Sequence, residues 1–244
     1  MSIVTFYLKL LCFFIWIFLV SVLYLIVAIF TKQRSTIFAK TVNCLGKGIL
    51  PIAGIKLNIE GTQYLTAEHP CVVLGNHQSA LDVAIFGAMC PPNTVGIGKK
   101  EIAMIPLFGW LFKYSGGILI DRKNKRKAIS QIDEAVQAVI KQRVSIGILP
   151  EGTRNRLGKG LLPFKKGAFH LAIAAQVPLV PIVVAEFGVL VNFEKKILKR
   201  GTINVRVLPP ISTKGMTESQ TGELTEKTYQ LMLSALNEIK SVVH

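Results

Sequence analysis

Residues 10–31 carry no charge and are almost entirely apolar. At about 1.5 Å per residue, a helix of that length reaches roughly 30 Å, the thickness of a bilayer's hydrocarbon core. The pattern predicts a membrane-anchoring helix at the N-terminus. A cleaved secretory signal is the competing reading, but the apolar stretch exceeds a typical h-region and no A-x-A-like site follows it. Lys9 precedes the segment, whereas Lys32, Arg34, Lys40 and Lys47 follow it. That asymmetry puts the rest of the chain at the cytoplasmic face. Residues 36–54 mix Ile37, Phe38, Val42, Leu45, Ile49 and Leu50 with Lys40 and Lys47. They read either as a basic amphipathic helix in the headgroup layer or as a helix packed on the folded domain. Residues 1–54 are therefore expected to form the anchor, either transmembrane or, if the first helix bends back, a monotopic pair. Residues 55–244 are left as a single domain.

Beyond residue 54, short β-branched runs alternate with longer helical ones. Strands are expected at 55–60, 71–74, 94–97, 118–121, 145–149, 179–184 and 203–208. One helix carries Ala128, Ile132, Ala135, Val136, Val139 and Ile140 on a stripe, with Lys127, Asp133, Glu134, Gln137 and Lys141 facing water. Another opens on Thr217-x-x-Gln220, a capping-box pattern, and turns Leu224, Leu231, Ala235 and Ile239 inward. The alternation predicts an α/β fold, a layered and mostly β-sheet core flanked by helices, with functional groups at the loop ends of the sheet.

Composition sharpens the membrane reading. Half of the 244 residues are hydrophobic, and the mean hydropathy is +0.46. A formal charge of +15 calls for an acidic partner. Nucleic acid is disfavoured, because the basic residues are not interleaved with stacking aromatics and no helix-turn-helix or RNP-like pattern is present. An anionic membrane surface accounts for the charge. Cys12, Cys44, Cys71 and Cys90 have no C-x-x-C spacing and read as packing residues in a reducing compartment, with no metal site and no cofactor implied.

The candidate chemistry lies in two clusters, each after an apolar run. The first is Asn76-His77-Gln78-Ser79-Ala80-Leu81-Asp82. On one continuous helix, a spacing of five residues turns the second side chain roughly 140° from the first, so contact between His77 and Asp82 requires a break. A helix beginning at Ser79 would supply it, leaving His77 in the preceding loop. Asp82 would then hold the imidazole in one tautomer and stabilise the imidazolium. The competing reading makes Ser79-x-x-Asp82 a plain capping box and His77 a structural residue.

The second cluster is Pro150-Glu151-Gly152-Thr153-Arg154, with Arg156, Lys159, Lys165 and Lys166 around Gly158 and Gly160. Arg154 is suited to grip a phosphate with two parallel charge-assisted bonds, helped by free amides at a helix start near Phe164. A solvated basic loop is the alternative. Arg122, after Gly116-Gly117-Ile118-Leu119-Ile120-Asp121, is either a second phosphate contact or half of an ion pair with Asp121. Lys99 and Lys100, at another strand end, are weaker candidates. The run 152–159 has neither the spacing nor the Ser or Thr of a nucleotide P-loop. G-x-S-x-G and H-E-x-x-H motifs are absent, which disfavours an acyl-enzyme route.

Taken in order, these blocks resemble the 1-acyl-sn-glycerol-3-phosphate (lysophosphatidate) acyltransferases of the glycerolipid acyltransferase superfamily. Residues 76–82 resemble the N-H-x4-D block, 116–122 the second block, 150–154 the E-G-T-R block and 177–182 the apolar fourth block. The family often has Phe where Leu119 and Leu149 stand. The resemblance implies an acyltransferase domain over 55–244 that moves an acyl group from acyl-CoA or acyl-carrier protein to the sn-2 hydroxyl of lysophosphatidate. His77 would be general base with Asp82 behind it. Arg154, Gly152, Thr153, Glu151 and Arg122 would form the phosphate site, with Glu151 also supporting its loop, and an apolar channel near 177–184 would take the acyl chain. Alternatives are a related acyltransferase with another acceptor, such as glycerol 3-phosphate, and a non-catalytic binder of anionic lipid.

Overall fold

The structure, a computed structural model, describes residues 3–31, 34–156 and 159–243. Lys32 and Gly158, named above, lie outside the described residues. The apolar stretch forms α1 (Ile3–Phe30) and the basic amphipathic stretch forms α2 (Arg34–Ala53). The two run side by side in opposite directions. Lys9 Nζ donates to Ala53 O at 2.8 Å and Trp16 Nε1 to Cys44 O at 3.3 Å, while Ala28 packs with Ile37. One side of α1, including Phe6 and Phe13, is buried, and the other exposes Leu8, Phe14, Phe18 and Leu23. Cys12 faces outward rather than packing, and all four cysteines are free.

The domain continues through β1 (Ile55–Glu60), α3 (Tyr64–Ala67), β2 (Val72–Gly75), α4 (Asp82–Ala88) and β3 (Thr94–Lys99). After a 3-10 turn at Lys100–Met104 come α5 (Phe108–Tyr114), β4 (Ile118–Ile120), α6 (Lys125–Gln142), β5 (Ser145–Ile148), α7 (Gly167–Ala175) and β6 (Leu179–Val184). The chain ends with the hairpin β7 (Val191–Asn192) and β8 (Ile197–Leu198), then β9 (Gly201–Val207), α8 (Thr221–Glu238) and β10 (Val242–Val243). The main sheet has the order β1-β9-β6-β2-β5-β3-β4, with β10 beside β9. The five strands from β6 to β4 are mutually parallel, and β9 joins β6 antiparallel.

Pleat alternation separates two cores. Val73 points toward α1, α2 and α4, packing with Leu50, Ala84 and Ile85. Val72 and Leu74 point the other way, toward Phe169 and Leu171 of α7. Each such fully buried aliphatic side chain contributes about 1.5–3 kcal/mol. Strands buried on both faces explain why they read as continuous apolar runs rather than alternating ones. The Thr217-x-x-Gln220 capping box is present, with Thr217 N donating to Gln220 Oε1 at 2.9 Å. Ile140 of the expected α6 stripe is exposed, as is Leu231 of α8.

Where α2 crosses α4, backbone meets backbone. A Cβ added at Gly46 would lie 2.3 Å from Ala84 O and 2.4 Å from Ala88 N, and one added at Gly87 would lie 2.4 Å from Val42 O. These neighbours are backbone atoms that cannot swing aside. Gly46→Ala is expected to destabilise the domain by about 1–3 kcal/mol through overpacking. A lowered thermal midpoint in detergent would register it, and an unchanged midpoint would show the crossing to be looser than this.

Candidate active site

Strands β2 and β5 end level with each other, Leu74 opposite Ile148. The loops that follow them therefore leave the same edge of the sheet side by side, the position at which parallel α/β sheets place their functional groups. Asn76 is tied to the sheet first. Its side chain donates to Val184 O at 2.9 Å and accepts from Val184 N at 2.8 Å.

His77 follows, and its Nδ1 stands 2.7 Å from Asp82 Oδ2. The break that the five-residue spacing demands is real but falls later than expected. Residues 79–81 form a turn and α4 opens at Asp82 itself. The cause is visible in the same oxygen, which also accepts from Gln78 N at 2.6 Å and Ser79 N at 2.8 Å. Curling the backbone around one carboxylate oxygen folds the imidazole back onto it. Holding the turn's backbone and orienting the ring are thus not competing roles for Asp82, because Oδ2 performs both, although α4 itself carries no side-chain cap.

Asp82 is fully buried, whereas the His77 side chain keeps 15% of its surface exposed. An oxygen already taking two amide N–H bonds is an acceptor, so Nδ1 must carry the ring proton. Nε2 is left as the basic nitrogen. Among the described residues no hydrogen bond occupies it.

The second cluster wraps around the backbone of the first. His77 N donates to Glu151 Oε1 at 2.7 Å, and Asn155 N donates to His77 O at 2.7 Å. Glu151 Oε2 accepts from Leu162 N at 2.9 Å. Both oxygens of this buried carboxylate are engaged by amides, and burial pushes its carboxyl up while the two amide bonds pull it down. This is the loop-supporting role expected of Glu151. Its negative charge would repel a phosphate, so it belongs to the frame of that site rather than to its contacts.

Gly152 adopts φ +68°, the left-handed region that glycine enters freely. Arg122 donates from its guanidinium to Gly152 O, and an added Cβ at Gly152 would lie 2.9 Å from Lys165 Nζ. Thr153 and Arg154 are exposed on the outside of this turn. Among the described residues no hydrogen bond or ion pair holds the Arg154 guanidinium. The amides expected near Phe164 are differently placed. Lys165 N donates to Pro150 O, and α7 starts only at Gly167.

An acyltransferase family model matches residues 56–185, more than half of the chain and all of the elements just described. The chain belongs to the acyltransferase family.

Curated relatives agree. The 1-acyl-sn-glycerol-3-phosphate acyltransferase of Escherichia coli is 37% identical over 195 residues, covering 80% of this chain and 78% of that protein. The Saccharomyces cerevisiae enzyme of the same name is 35% identical over 200 residues, 82% of this chain and 66% of its own length. The human alpha form is 38% identical over 188 residues, 77% of this chain and again 66% of that protein. The chain thus spans just under two thirds of the length of the yeast and human relatives. The crystal structure of the 1-acyl-sn-glycerophosphate (LPA) acyltransferase PlsC from Thermotoga maritima superposes with a TM-score of 0.79 at 21% identity, covering 98% of this chain and 99% of that one. That likeness establishes the fold.

In this family member, the weaker lysine candidates are already paired. Lys100 Nζ sits 2.9 Å from Asp121 Oδ2, and Lys99 lies 3.5 Å from Glu101. The Lys100 bond holds the Asp121 carboxyl below the usual range. Asp121 therefore pairs with Lys100 and leaves Arg122 to reach the Gly152 turn.

A cavity of about 820 Å³ opens beside that turn. Ile97, Ile129, Ile132, Val136 and Ile148 form apolar walls, and Arg122, Gly152 and Lys165 also line it. The apolar channel expected near 177–184 is not at that strand. β6 is buried along its whole length, filled by helices on both faces. The cavity lies instead between α6, α7 and the ends of β3, β4 and β5. Ile132 and Val136 of the expected stripe gave no warning of it, because a stripe that lines a cavity reads the same as one that fills a core.

Proposed function

We propose that this chain transfers an acyl group from a thioester to the sn-2 hydroxyl of 1-acyl-sn-glycerol 3-phosphate, giving phosphatidate. The observation that carries the reading is the His77–Asp82 contact with Nε2 left open, set against a basic turn tied to the same backbone. Nε2 accepts the hydroxyl proton as the oxygen attacks the thioester carbonyl carbon. The C–S bond then breaks, and the imidazolium returns the proton to the departing thiolate. Asp82 stabilises the imidazolium between these steps. No protein-bound acyl group is needed.

Arg154, flanked by the Gly152–Thr153 turn and assisted by Arg122 and Lys165, holds the acceptor phosphate and so presents the hydroxyl to the ring. The apolar cavity of α6 and α7 takes the donor's acyl chain, its volume lying within the usual span of small-molecule sites, about 300–1,000 Å³. Acyl-CoA or acyl-carrier protein serves as donor.

The anchor reading that the packing supports is the monotopic pair. From Lys9 at one end to Ala28 at the other, α1 is fastened to α2 and the domain, while its remaining apolar side meets lipid. Arg34, Lys40 and Lys47 of α2 favour the cytoplasmic face of an anionic leaflet.

The decisive assay supplies lysophosphatidate and labelled acyl-CoA to the purified chain and measures phosphatidate. Parallel arms replace the acceptor by glycerol 3-phosphate and the donor by acyl-carrier protein. Absence of product from every acceptor, with anionic vesicles still bound, would return the chain to a lipid-binding role. Arg154→Ala is expected to raise the apparent KM for lysophosphatidate roughly tenfold or more, the worth of a charge-assisted contact, with turnover at saturation near the parent value. An unchanged KM would remove Arg154 from the phosphate site.

A further inference from the structure

Away from α1, one cluster of large apolar side chains stands open to solvent. The 3-10 turn after β3 leaves Met104 80% and Ile105 45% exposed, and α5 adds Trp110 at 66% and Tyr114 at 42%. Trp110 and Tyr114, four residues apart, share one helix face. Folded soluble surfaces rarely keep so compact an apolar group without a partner.

Two observations say what covers it. First, the cluster is continuous with the membrane helix. Tyr114 Oη donates to Ala28 O at 3.1 Å, and Leu111 of α5 is buried with Ala28 and Ile37. Ile29 and Phe30, at the same end of α1, are 77% and 85% exposed. Second, the chemistry is that of a lipid headgroup layer. Amphipathic aromatic rings settle at that depth, and cations border the cluster, with Lys113 exposed beside it and the Arg34 guanidinium 5.3 Å from the Tyr114 ring centre.

We propose that Met104, Ile105, Trp110 and Tyr114 form a second membrane contact, seated at the interface of the same anionic bilayer that receives α1. The inference rests on the anchor reading above. A single helix lying in a leaflet leaves the domain free to roll about the helix axis. A second contact removes that freedom. Because the 3-10 turn leaves the carboxyl end of β3, the edge that also carries the His77 and Arg154 loops, this contact turns that edge toward the lipid.

The chain has two tryptophans, so Trp16→Phe leaves Trp110 as the sole reporter. The difference between the parent chain and Trp110→Phe gives the same quantity should Trp16→Phe fold poorly. The protein is reconstituted in vesicles of phosphatidylcholine and phosphatidylglycerol, with and without bromine on the upper acyl carbons, and floated on a density gradient. Expected are flotation, a severalfold loss of Trp110 emission in brominated vesicles, and weak quenching by aqueous acrylamide. Flotation with full acrylamide quenching and no effect of bromine overturns the second contact and leaves the anchor standing. Protection from both quenchers assigns the cluster to a protein partner and overturns it equally. Failure to float removes the anchor and this contact together.

Discussion

His77→Ala is expected to lower turnover at saturating acceptor and donor by about 10²–10⁴-fold, the contribution of a positioned general base. The imidazole is the one basic nitrogen on the loop with its Nδ1 proton committed to a carboxylate and its other nitrogen free of protein partners among the described residues. In the proposed reaction, losing it leaves the sn-2 hydroxyl to attack with its proton still attached or to give it to water. Stability is expected to change little. Asp82 Oδ2 retains the amides of Gln78 and Ser79 when the ring is gone, and the loss of one hydrogen bond costs about 1 kcal/mol. Turnover of the purified variant, read beside its thermal melt in the same detergent, tests this. Near-parent turnover in a folded chain ends the general-base assignment.

A comparable loss is expected for Asp82→Asn, again about 10²–10⁴-fold, for a different reason. An Asn side chain fits the volume, and its oxygen can take the place of Oδ2 while its NH2 takes that of Oδ1. Oδ1 is buried without a hydrogen-bond partner, so an NH2 there goes unpaired at a cost of about 1–3 kcal/mol, while the two backbone amides keep their acceptor and hold the turn. The negative charge that steadies the imidazolium is lost. In the flipped orientation the NH2 faces Nδ1 and forces the ring into the other tautomer, with no lone pair on Nε2. The double variant with His77→Ala should be scarcely slower than His77→Ala alone, since the carboxylate acts through the ring. A large fall in melting temperature with turnover preserved would reduce Asp82 to a cap.

How much of this was legible along the chain depended on the range of each interaction. The strands were, because β2 and β6 are buried along their whole length and read as short apolar runs bounded by turns. The short hairpin of β7 and β8, the terminal β10 and the seven-residue α5 were not, since elements so short owe their form to what they pack on. The His77–Asp82 contact followed from a five-residue spacing and the need for a break, although the position of the break required knowing that one oxygen draws in two amides. The supporting role of Glu151 was legible too, but not what it supports. Its partners, the amides of His77 and Leu162, lie 74 and 11 residues away, and no local pattern says which backbone groups a carboxylate in a basic loop will meet. The same distance hid Lys165 above Gly152 and the pairing of Lys100 with Asp121.

Gly46 and Gly87 bring α2 and α4 together main chain to main chain, without an intervening side chain to yield. The helix that starts with Asp82 is thereby clamped to the helix that continues the anchor. If α1 and α2 sit in a leaflet as proposed, thickness, curvature or lateral pressure acting on that pair meets a backbone-to-backbone contact on its way to that carboxylate. Lipid composition should accordingly enter the kinetics as a mechanical variable, separate from its part as the source of acceptor.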